Sequence, residues 1–404
     1  MPHSASFLTV GNGTKINRNG IISGNLIGET LRMSIYKRLG IRTVINGNAT
    51  LTRLGGSIMP SEVVDAMAEA SKHFVDIIEL QKRVGEELAK LTYNEAAYVS
   101  CGAAAALTLS TAACITGLDA EKREKLPHLD SSMKNEVIVH RHGRVGYDYA
   151  VRQVGVKFIE IGNENGTSPD ELENAITDKT AAIFYFANPG REHLWVSYTE
   201  GIEIAQKHGV PLIVDAAAQL PPPENLWRFT QMGADLAMFS GGKGLCGPQS
   251  SGLIVGKKSL IDAIAFNGPP NPYIGRGMKV GKEEMVGLLA AVEWYLKQDP
   301  EEVMLSYENQ ITYYREFFKN IQGISVHRSF PSEAGQPMPR TEIQFDAEQL
   351  GITRDEILHQ LHTGEPSIDI AGAGANGVLI NGQTLLPGEV EIIANRIKEI
   401  IVIL

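Results

Sequence analysis

Six short runs of apolar residues recur between residues 136 and 256. They are EVIVH (136–140), KFIEI (157–161), AAIFYF (181–186), PLIVD (211–215), DLAMF (235–239) and GLIVG (252–256). Apolar positions within each run are mostly continuous rather than alternating, which is typical of strands covered on both faces. Helical patterns separate several runs, and one of them, SYTEGIEIAQKHG, ends at Gly209. Alternating strands and helices predict an α/β layer with a mainly parallel sheet.

Helical periodicity precedes this region. In PSEVVDAMAEASKHF, Ser61 is a candidate N-cap, and the apolar residues at helical spacing are Val63, Met67, Ala70 and Phe74. The stretch CGAAAALTLSTAACITGL (101–118) carries no charge and is rich in small residues. We interpret it as a helix buried inside a domain rather than as a membrane span.

The pattern changes near residue 280. The stretch EEVMLSYENQITYYREFFKNI is typical of a long helix with one apolar face, formed by Val303, Tyr307, Ile311, Tyr314 and Phe318. Short strands such as RTEIQFD and a final helix follow. We therefore expect an N-terminal arm (1–45), a large α/β domain (46–285), and linking helices with a small C-terminal α+β domain (286–404).

Composition narrows the classes of function. The chain has 404 residues and a formal net charge of -10, which disfavours a nucleic-acid-binding protein. The N-terminus lacks the basic start and long apolar core of a signal peptide. The three cysteines, Cys101, Cys114 and Cys246, form no CxxC pair and no cluster with metal spacing. We expect free thiols in the reducing cytoplasm, no bound metal and no membrane partner.

The stretch MFSGGKGLCGPQSSGLIVG (238–256) contains a lysine, Lys243, between glycines at the end of an apolar run. A surface turn would explain an isolated lysine. However, a lysine whose charge is disfavoured by its surroundings becomes a nucleophilic amine that can form a Schiff base. Flanking glycines would let a planar cofactor approach the backbone.

Two further features also stand at predicted strand ends, where ligand sites of open α/β sheets lie. Asp215 ends PLIVD, 28 residues before Lys243. A carboxylate there could pair with the ring nitrogen of pyridoxal phosphate, or only cap a turn. The run SCGAAAAL (100–107) opens the buried helix, and its backbone N–H groups could bind a phosphate. Close helix packing through small side chains is the alternative.

The order of these features resembles fold type I enzymes, which use pyridoxal 5'-phosphate. Three segments are similar to the bacterial selenocysteine synthase-like group, and within it to D-glucosaminate-6-phosphate ammonia-lyases: VINGNATLTRLGGSIMPSEVVDAMAEA, YVSCGAAAALTLSTAACITG and MFSGGKGLCGPQSSGLIVGKKSLIDAI. The resemblance implies an α/β fold with a mainly parallel seven-stranded sheet in a large domain, plus a small C-terminal α+β domain. It also implies a homodimer or higher homo-oligomer.

The resemblance implies roles for individual residues around the cofactor. Lys243 would bind it covalently, Asp215 would pair with its ring nitrogen, and His142 would stack on the ring, with His140 and Arg141 as alternatives. The residues implied to bind the phosphate are Gly102, Ala103, Ala104 and Ser240. Related enzymes carry Gln three residues after the aspartate. Here Ala218 takes that position, and Gln219 is the neighbouring candidate for the cofactor's phenolic oxygen.

The implied activity is that of a lyase. It would remove the α-proton and then eliminate a β-substituent and ammonia from an amino sugar acid or a β-hydroxy amino acid. The candidates for binding a small anionic substrate are Arg276, Arg191 and Arg141, because an arginine fork suits carboxylates and phosphates. A racemase or an aminotransferase using the same lysine remains open. A tRNA-dependent selenium transferase is disfavoured by the negative charge and the short N-terminal region.

Overall fold

The computed structural model describes residues 8–10, 14–16 and 34–402. Part of the predicted N-terminal arm, residues 1–7, 11–13 and 17–33, lies outside the described residues. The described part of the arm contains two short strands, β1 (Leu8–Val10) and β2 (Thr14–Ile16), which pair antiparallel. The short helix α1 (Ile35–Arg38) follows.

The next elements alternate between strands and helices up to the centre of the chain. They are β3 (Val44–Gly47), α2 (Ser61–Ala70), α3 (Ile77–Leu91), β4 (Ala96–Ser100), α4 (Ala103–Thr116), α5 (Ala120–Lys125), β5 (Glu136–His140), α6 (Tyr149–Arg152), β6 (Lys157–Ile161), α7 (Pro169–Asn174), β7 (Thr180–Phe186), α8 (Tyr198–His208), β8 (Leu212–Asp215), α9 (Asn225–Gln231) and β9 (Leu236–Ser240).

The remaining elements begin with a strand that returns to the central sheet. They are β10 (Gly252–Gly256), α10 (Lys258–Asn267), α11 (Lys282–Leu296), α12 (Pro300–Phe318), β11 (Ile324–Ser329), β12 (Arg340–Phe345), α13 (Ala347–Leu350), α14 (Arg354–Thr363), β13 (Ser367–Ala373), β14 (Gly377–Ile380) and α15 (Glu389–Val402).

A seven-stranded sheet forms the centre of the large domain. Its strand order is β4-β10-β9-β8-β7-β5-β6. Among these strands only β10 is antiparallel to its neighbours, β4 and β9, so the sheet is mainly parallel, as predicted. The six predicted apolar runs are all strands of this sheet.

Helices cover both faces of this sheet, which explains the continuous apolarity of its strands. All seven residues of β7 are buried. The predicted buried helix is α4, and eleven of its fourteen residues are buried. It contacts α10 and the strands β7, β9 and β10. Within the described residues no helix is both long and apolar enough to cross a membrane.

A second sheet of five strands, β11-β12-β14-β13-β3, forms the smaller domain. Helices α12, α14 and α15 pack on it, and the buried residues of α12 are Ile311, Tyr314 and Phe318. Strand β3 lies parallel to β13, with Val44 opposite Ser367. Residues 44–47 therefore belong to the C-terminal sheet, whereas the predicted boundary assigned residues from 46 onward to the large domain.

Helix α2 is shorter than its apolar pattern suggests. The helix ends at Ala70, so Phe74 lies beyond it and is fully exposed instead of joining Val63 on a buried face. Pro60 is the N-cap residue, and Ser61 is the first residue of the helix rather than its cap. The residues after Ala70 turn toward α3, whose N-terminus is capped by Asp76 through the backbone N–H groups of Ile78 and Glu79.

Candidate active site

The strand order brings the candidate residues to one edge of the large sheet. Strands β4, β9, β8, β7 and β5 all end at this edge. Ser100 and Ser240 both lie opposite Gly252 of β10, so the N-terminus of α4 and the end of β9 are close across one strand. Asp215 lies opposite Met238 of β9, and the backbone of Ala187 donates to the carbonyl of Asp215.

Lys243 lies on a tight turn after β9. The backbone of Cys246 donates to the carbonyl of Lys243, and that of Ser57 donates to the carbonyl of Gly242. A Cβ atom at Gly242 would lie 2.3 Å from Gln249 Oε1, and one at Gly244 would lie 2.5 Å from the carbonyl oxygen of Leu220. The glycines on both sides of Lys243 are therefore required by close packing of the turn.

Burial shifts the pKa values of Lys243 and Asp215 in opposite directions. Desolvation lowers the pKa of the Lys243 amine, and the charge of Asp215 offsets part of this effect. Desolvation raises the pKa of Asp215 to about 6, although the backbone of Ala217 donates to its Oδ1 at 3.0 Å. The pair provides an amine that is more readily neutral than a surface lysine, beside a carboxyl group at the end of the adjacent strand.

The N-terminus of α4 opens into the space at this edge. Gly102 is the N-cap residue with φ 129°, and no side chain caps the helix. A Cβ atom at Gly102 would have no neighbour within 4 Å, and Ala104 is exposed. The first backbone N–H groups of a helix have no partner within it, so Gly102, Ala103 and Ala104 can hold an anion here. Partly exposed Ser240 lies in the same row of the sheet.

The end of β5 and the turn after it contain the three candidates for contact with a cofactor ring. His140 is 2% exposed, stacks on Trp195 with an interplanar angle of 11°, and has no hydrogen-bond partner at either ring nitrogen. His142 is partly exposed, and its Nε2 lies 2.8 Å from the carbonyl oxygen of Asn163. Arg141 is exposed in the same short turn. His140 is thus the least accessible of the three to a ligand.

The three candidate arginines lie in different places. Arg191 follows β7, and its guanidinium lies 3.4 Å from the carbonyl oxygen of His142, so these two residues share the edge of the sheet with Arg141. Arg276 is exposed and lines a largely apolar cavity of about 890 Å³ beside α3, together with Ala96, Ala97 and Tyr98 of β4. Those residues begin β4, at the opposite end from Gly102, so Arg276 is remote from Lys243 of its own chain.

The side chain of Gln219 is engaged away from the lysine. Its Nε2 donates to the carbonyls of Ala187 at 3.1 Å and of Ala334 at 3.0 Å, and the residue is 4% exposed. Both amide hydrogens therefore connect the large domain to a loop of the smaller domain. No hydrogen of the Gln219 amide is left for the phenolic oxygen of a cofactor in this arrangement.

Two residues that the sequence analysis did not single out also lie at this edge. Asn188 follows β7 beside the end of β8, and its Oδ1 accepts from the backbone of Gly190 at 3.2 Å. Glu333, on the loop that contacts Gln219, is close enough to raise the pKa of Lys243 through its charge. The turn sequence ANPG after β7 is a signal that could have identified Asn188. No local motif marks Glu333.

Within residues 34–402, no group of three His, Cys, Asp or Glu side chains is arranged to hold a metal ion. The backbone N–H groups and the lysine amine at the sheet edge instead suit a ligand that carries both a phosphate group and an electrophilic carbon atom. A helix N-terminus without a capping side chain suits the phosphate, and a desolvated amine suits the carbon. The site therefore fits pyridoxal phosphate.

Comparison with known proteins agrees with this geometry. The family model described as L-seryl-tRNA selenium transferase (SelA) matches residues 43–321. D-glucosaminate-6-phosphate ammonia lyase of Salmonella typhimurium is 33% identical over 374 residues, covering 91% of this chain and 98% of the relative. A 5'-C-glycyluridine monooxygenase-decarboxylase of a Streptomyces species is 30% identical over 379 residues, covering 91% and 92%.

A solved structure of D-glucosaminate-6-phosphate ammonia-lyase superposes with a TM-score of 0.81. It shares 32% identity and covers 92% of this chain and 98% of its own. The family model covers more than half of the chain, and the relatives match nearly their full lengths. The chain therefore belongs to the SelA family of fold type I, pyridoxal-phosphate-dependent enzymes.

Proposed function

We propose that this protein is a carbon–nitrogen lyase. It removes the α-proton of an amino sugar acid or a β-hydroxy amino acid and then eliminates the β-substituent and ammonia. The observation that carries the proposal is the partly buried pair Asp215 and Lys243 at adjacent strand ends, where desolvation shifts the pKa values of both. Similarity over 91% of the chain to an ammonia lyase supports this reaction over others of the cofactor.

The residues at the sheet edge have separate tasks in this proposal. Lys243 would hold the cofactor through its amine, and Asp215 would pair with the ring nitrogen as a carboxylate. The backbone of Gly102, Ala103 and Ala104, with the hydroxyl of Ser240, holds the phosphate. When bound, pyridoxal phosphate withdraws electrons from the α-carbon of the substrate. A cationic ring nitrogen would favour the ionised form of Asp215, whose pKa is raised to about 6 mainly by burial.

Lys243 also moves the proton. As a free amine, Nζ of Lys243 would accept the α-proton of the substrate, because burial lowers its pKa. The electron pair left at the α-carbon expels the β-hydroxyl, which leaves as water after taking up a proton. Water then releases the nitrogen as ammonia and the carbon chain as a 2-keto acid. Water is thus lost once and consumed once, and the net products are ammonia and the keto acid.

Charge at the edge of the site supports an anionic substrate. Arg191 and Arg141 flank His142 at the ends of β7 and β5, where they can bind a carboxylate or a phosphate. His142 is the proposed stacking residue, because its ring is more accessible than that of His140.

The active form is proposed to be a homodimer or a higher homo-oligomer. The cavity that contains Arg276 is lined mostly by apolar atoms, and the exposed residues Phe74, Val75 and Ile78 lie at or beside its α3 wall. An apolar surface of this kind supports burial against a second copy. Arg276 would then reach the substrate site of that copy. The three free cysteines support a reducing compartment, and we propose the cytoplasm.

A screen for ammonia tests the reaction. The cofactor-loaded protein is incubated with β-hydroxy amino acids and 2-amino sugar acids, free and phosphorylated, without any keto acid. Ammonia and a 2-keto acid in equal amounts are expected, and Lys243→Ala is the matched control. Solvent deuterium at the α-carbon with inverted configuration and no ammonia would indicate a racemase. Turnover that requires an added keto acid would indicate an aminotransferase.

A further inference from the structure

A loop of the smaller domain covers the edge of the large sheet. This cover loop, residues 330–338, connects β11 to β12. Gln336 Nε2 donates to the carbonyl oxygen of Leu220 at 2.6 Å, and Gln219 Nε2 donates to that of Ala334 at 3.0 Å. A Cβ atom at Gly335 would lie 2.8 Å from Pro189 Cδ. The cover loop is therefore held against the ends of β7 and β8, beside Asp215.

Glu333 lies in the middle of this cover loop and is anchored from one side. Asn381 Nδ2 lies 3.3 Å from each of its carboxylate oxygens, and a terminal nitrogen of Arg340 lies 3.2 Å from Oε2. Asn381 is 3% exposed, and the side chain of Arg340 is 11% exposed. The side chain of Glu333 is nevertheless 41% exposed. Its carboxylate is thus positioned by the smaller domain but retains accessible lone pairs.

The cover loop brings this carboxylate close to the ends of β7 and β8, because the carbonyl of the next residue, Ala334, accepts from Gln219 Nε2 at 3.0 Å. The charge of Glu333 also raises the pKa of Lys243, which lies at the same edge of the sheet. Arg340 and Asn381 donate to this carboxylate, which as a carboxylate can only accept hydrogen bonds. The cover loop thus presents an acceptor at the edge of the site that the reaction described above does not use.

Charge limits what this acceptor can bind. The ionised carboxylate and phosphate of a substrate offer Glu333 no hydrogen to accept, and Arg340 already pairs with its charge, so the arginines of the large domain suit those groups better. The amino group of the substrate is engaged by the cofactor. The donors that remain on an amino sugar acid are the hydroxyl groups of its carbon chain beyond the β-carbon, and a short β-hydroxy amino acid has none there.

We propose that Glu333 is a specificity-determining residue that accepts hydrogen bonds from the chain hydroxyls of a polyhydroxylated 2-amino acid. This inference rests on the proposed lyase function, of which it names the substrate class. Glu333, held by Asn381 and Arg340, selects long hydroxylated substrates over serine-like ones.

Glu333→Gln and Glu333→Asp test the proposal, with Glu348→Gln as a matched control on the exposed surface of the same domain. Ammonia release is measured for glucosaminate 6-phosphate and for serine. A charged hydrogen bond contributes about 1.5–3 kcal/mol, so Glu333→Gln should lower kcat/KM for the sugar acid roughly 10- to 100-fold, mainly through KM. It should change kcat/KM for serine less than about 3-fold. Glu333→Asp should lie between the wild type and Glu333→Gln.

A binding measurement separates this inference from the lyase function. Gluconate 6-phosphate carries the chain hydroxyls but no amino group, and its Kd is measured calorimetrically with the cofactor-loaded wild type and variants. Glu333→Gln should bind more weakly than the wild type, Glu333→Asp should lie between the two, and Glu348→Gln should bind like the wild type, with all melting temperatures unchanged. Equal losses on both substrates, unaltered Kd, or no binding by the wild type would overturn the role of Glu333. If no tested substrate releases ammonia, the lyase proposal fails, and the binding comparison still decides for Glu333.

Discussion

Asp215 and Lys243 stabilise each other's charge at the ends of adjacent strands, while burial favours the neutral form of both. Burial is the larger effect at each residue. The site therefore contains an amine that loses its proton more readily than a surface lysine and a carboxyl group with a pKa of about 6. The first two predictions concern this amine and this carboxyl group.

Lys243 is expected to be the residue that the cofactor modifies. Purified protein loaded with pyridoxal phosphate should absorb visible light, and reduction with borohydride should fix the label on the peptide that contains Lys243. Lys243→Ala should lose the visible band, whereas Lys258→Ala, an exposed lysine paired with Asp262, should retain it. A label on another lysine would refute the assignment.

Asp215→Asn is expected to retain the fold and lose turnover roughly 100-fold or more, because a charge that favours the protonated ring is removed. Its effect on the stability of the cofactor-free protein should depend on pH. The pKa of Asp215 is raised from 3.8 to about 6 by burial, so the folded state holds a proton that the unfolded state releases between these values. Stability from this group therefore falls as the pH rises from about 4 to about 6.

In the cofactor-free state Asp215→Asn should accordingly melt above the wild type at pH 8 and close to it at pH 4. Melting temperatures across this range are the measurement, and Asp178→Asn, an exposed carboxyl group, is the control. A variant less stable than the wild type at pH 8 would contradict the assigned cause of the shift.

His140 is expected to limit stability in acid. Burial lowers its pKa from 6.5 to about 4, so below about pH 6.5 the unfolded state binds a proton that the folded state does not. The contribution of His140 should therefore lower stability by up to about 3 kcal/mol as the pH falls from 6.5 to 4, opposite in sign to the contribution of Asp215 in the cofactor-free protein. His140→Phe keeps an aromatic ring beside Tyr185 and Trp195 and should remove this contribution.

Urea unfolding at pH 4.5 and pH 7.5 measures the effect of His140→Phe. His359→Phe, which replaces an exposed imidazole on α14, is the control and should leave the pH dependence unchanged. If the free energy of unfolding changes between pH 7.5 and pH 4.5 by the same amount in His140→Phe as in the wild type, a group other than His140 causes this pH dependence.

Arg276 is expected to act in the site of a neighbouring subunit. Arg276→Ala and Lys243→Ala should each lose activity alone. After mixing and exchange of subunits, an intact site forms wherever the lysine of one chain meets the arginine of the other. About a quarter of wild-type activity is expected from random pairing into dimers. If the mixture regains no activity although subunit exchange has been verified, Arg276 does not act in the site of the neighbouring subunit.

Much of the large domain was predictable because its signal is local. Each strand buried on both faces appears as a continuous apolar run; Asp215 ends one of these runs, and Lys243 lies on the turn after another. Strand β4, with the sequence AAYVS, was absent from those runs because alanine and serine weaken its apolar pattern. The exposure of Phe74 was missed because helical spacing continues past Ala70 while the helix does not.

The contribution of the smaller domain was not predictable from a pattern. Glu333 lies in a loop without a motif, and the position of this loop at the sheet edge depends on contacts with residues more than a hundred positions earlier, such as Gln219 and Leu220. Gln219 illustrates the same limit. The family resemblance implied a cofactor contact for Gln219, although the spacing from Asp215 departs from the family pattern, and its amide also hydrogen-bonds to a loop of the smaller domain.

The parallel pairing of β3 with β13 has a consequence for how the chain folds during synthesis. Val44 leaves the ribosome about 320 residues before its partner Ser367, so β3 remains without its strand partner while the whole large domain is made. The smaller domain can close its sheet only when translation is nearly complete. A fragment beginning at residue 286 would lack a strand, and a chain truncated before residue 367 would leave β3 as an unpaired edge.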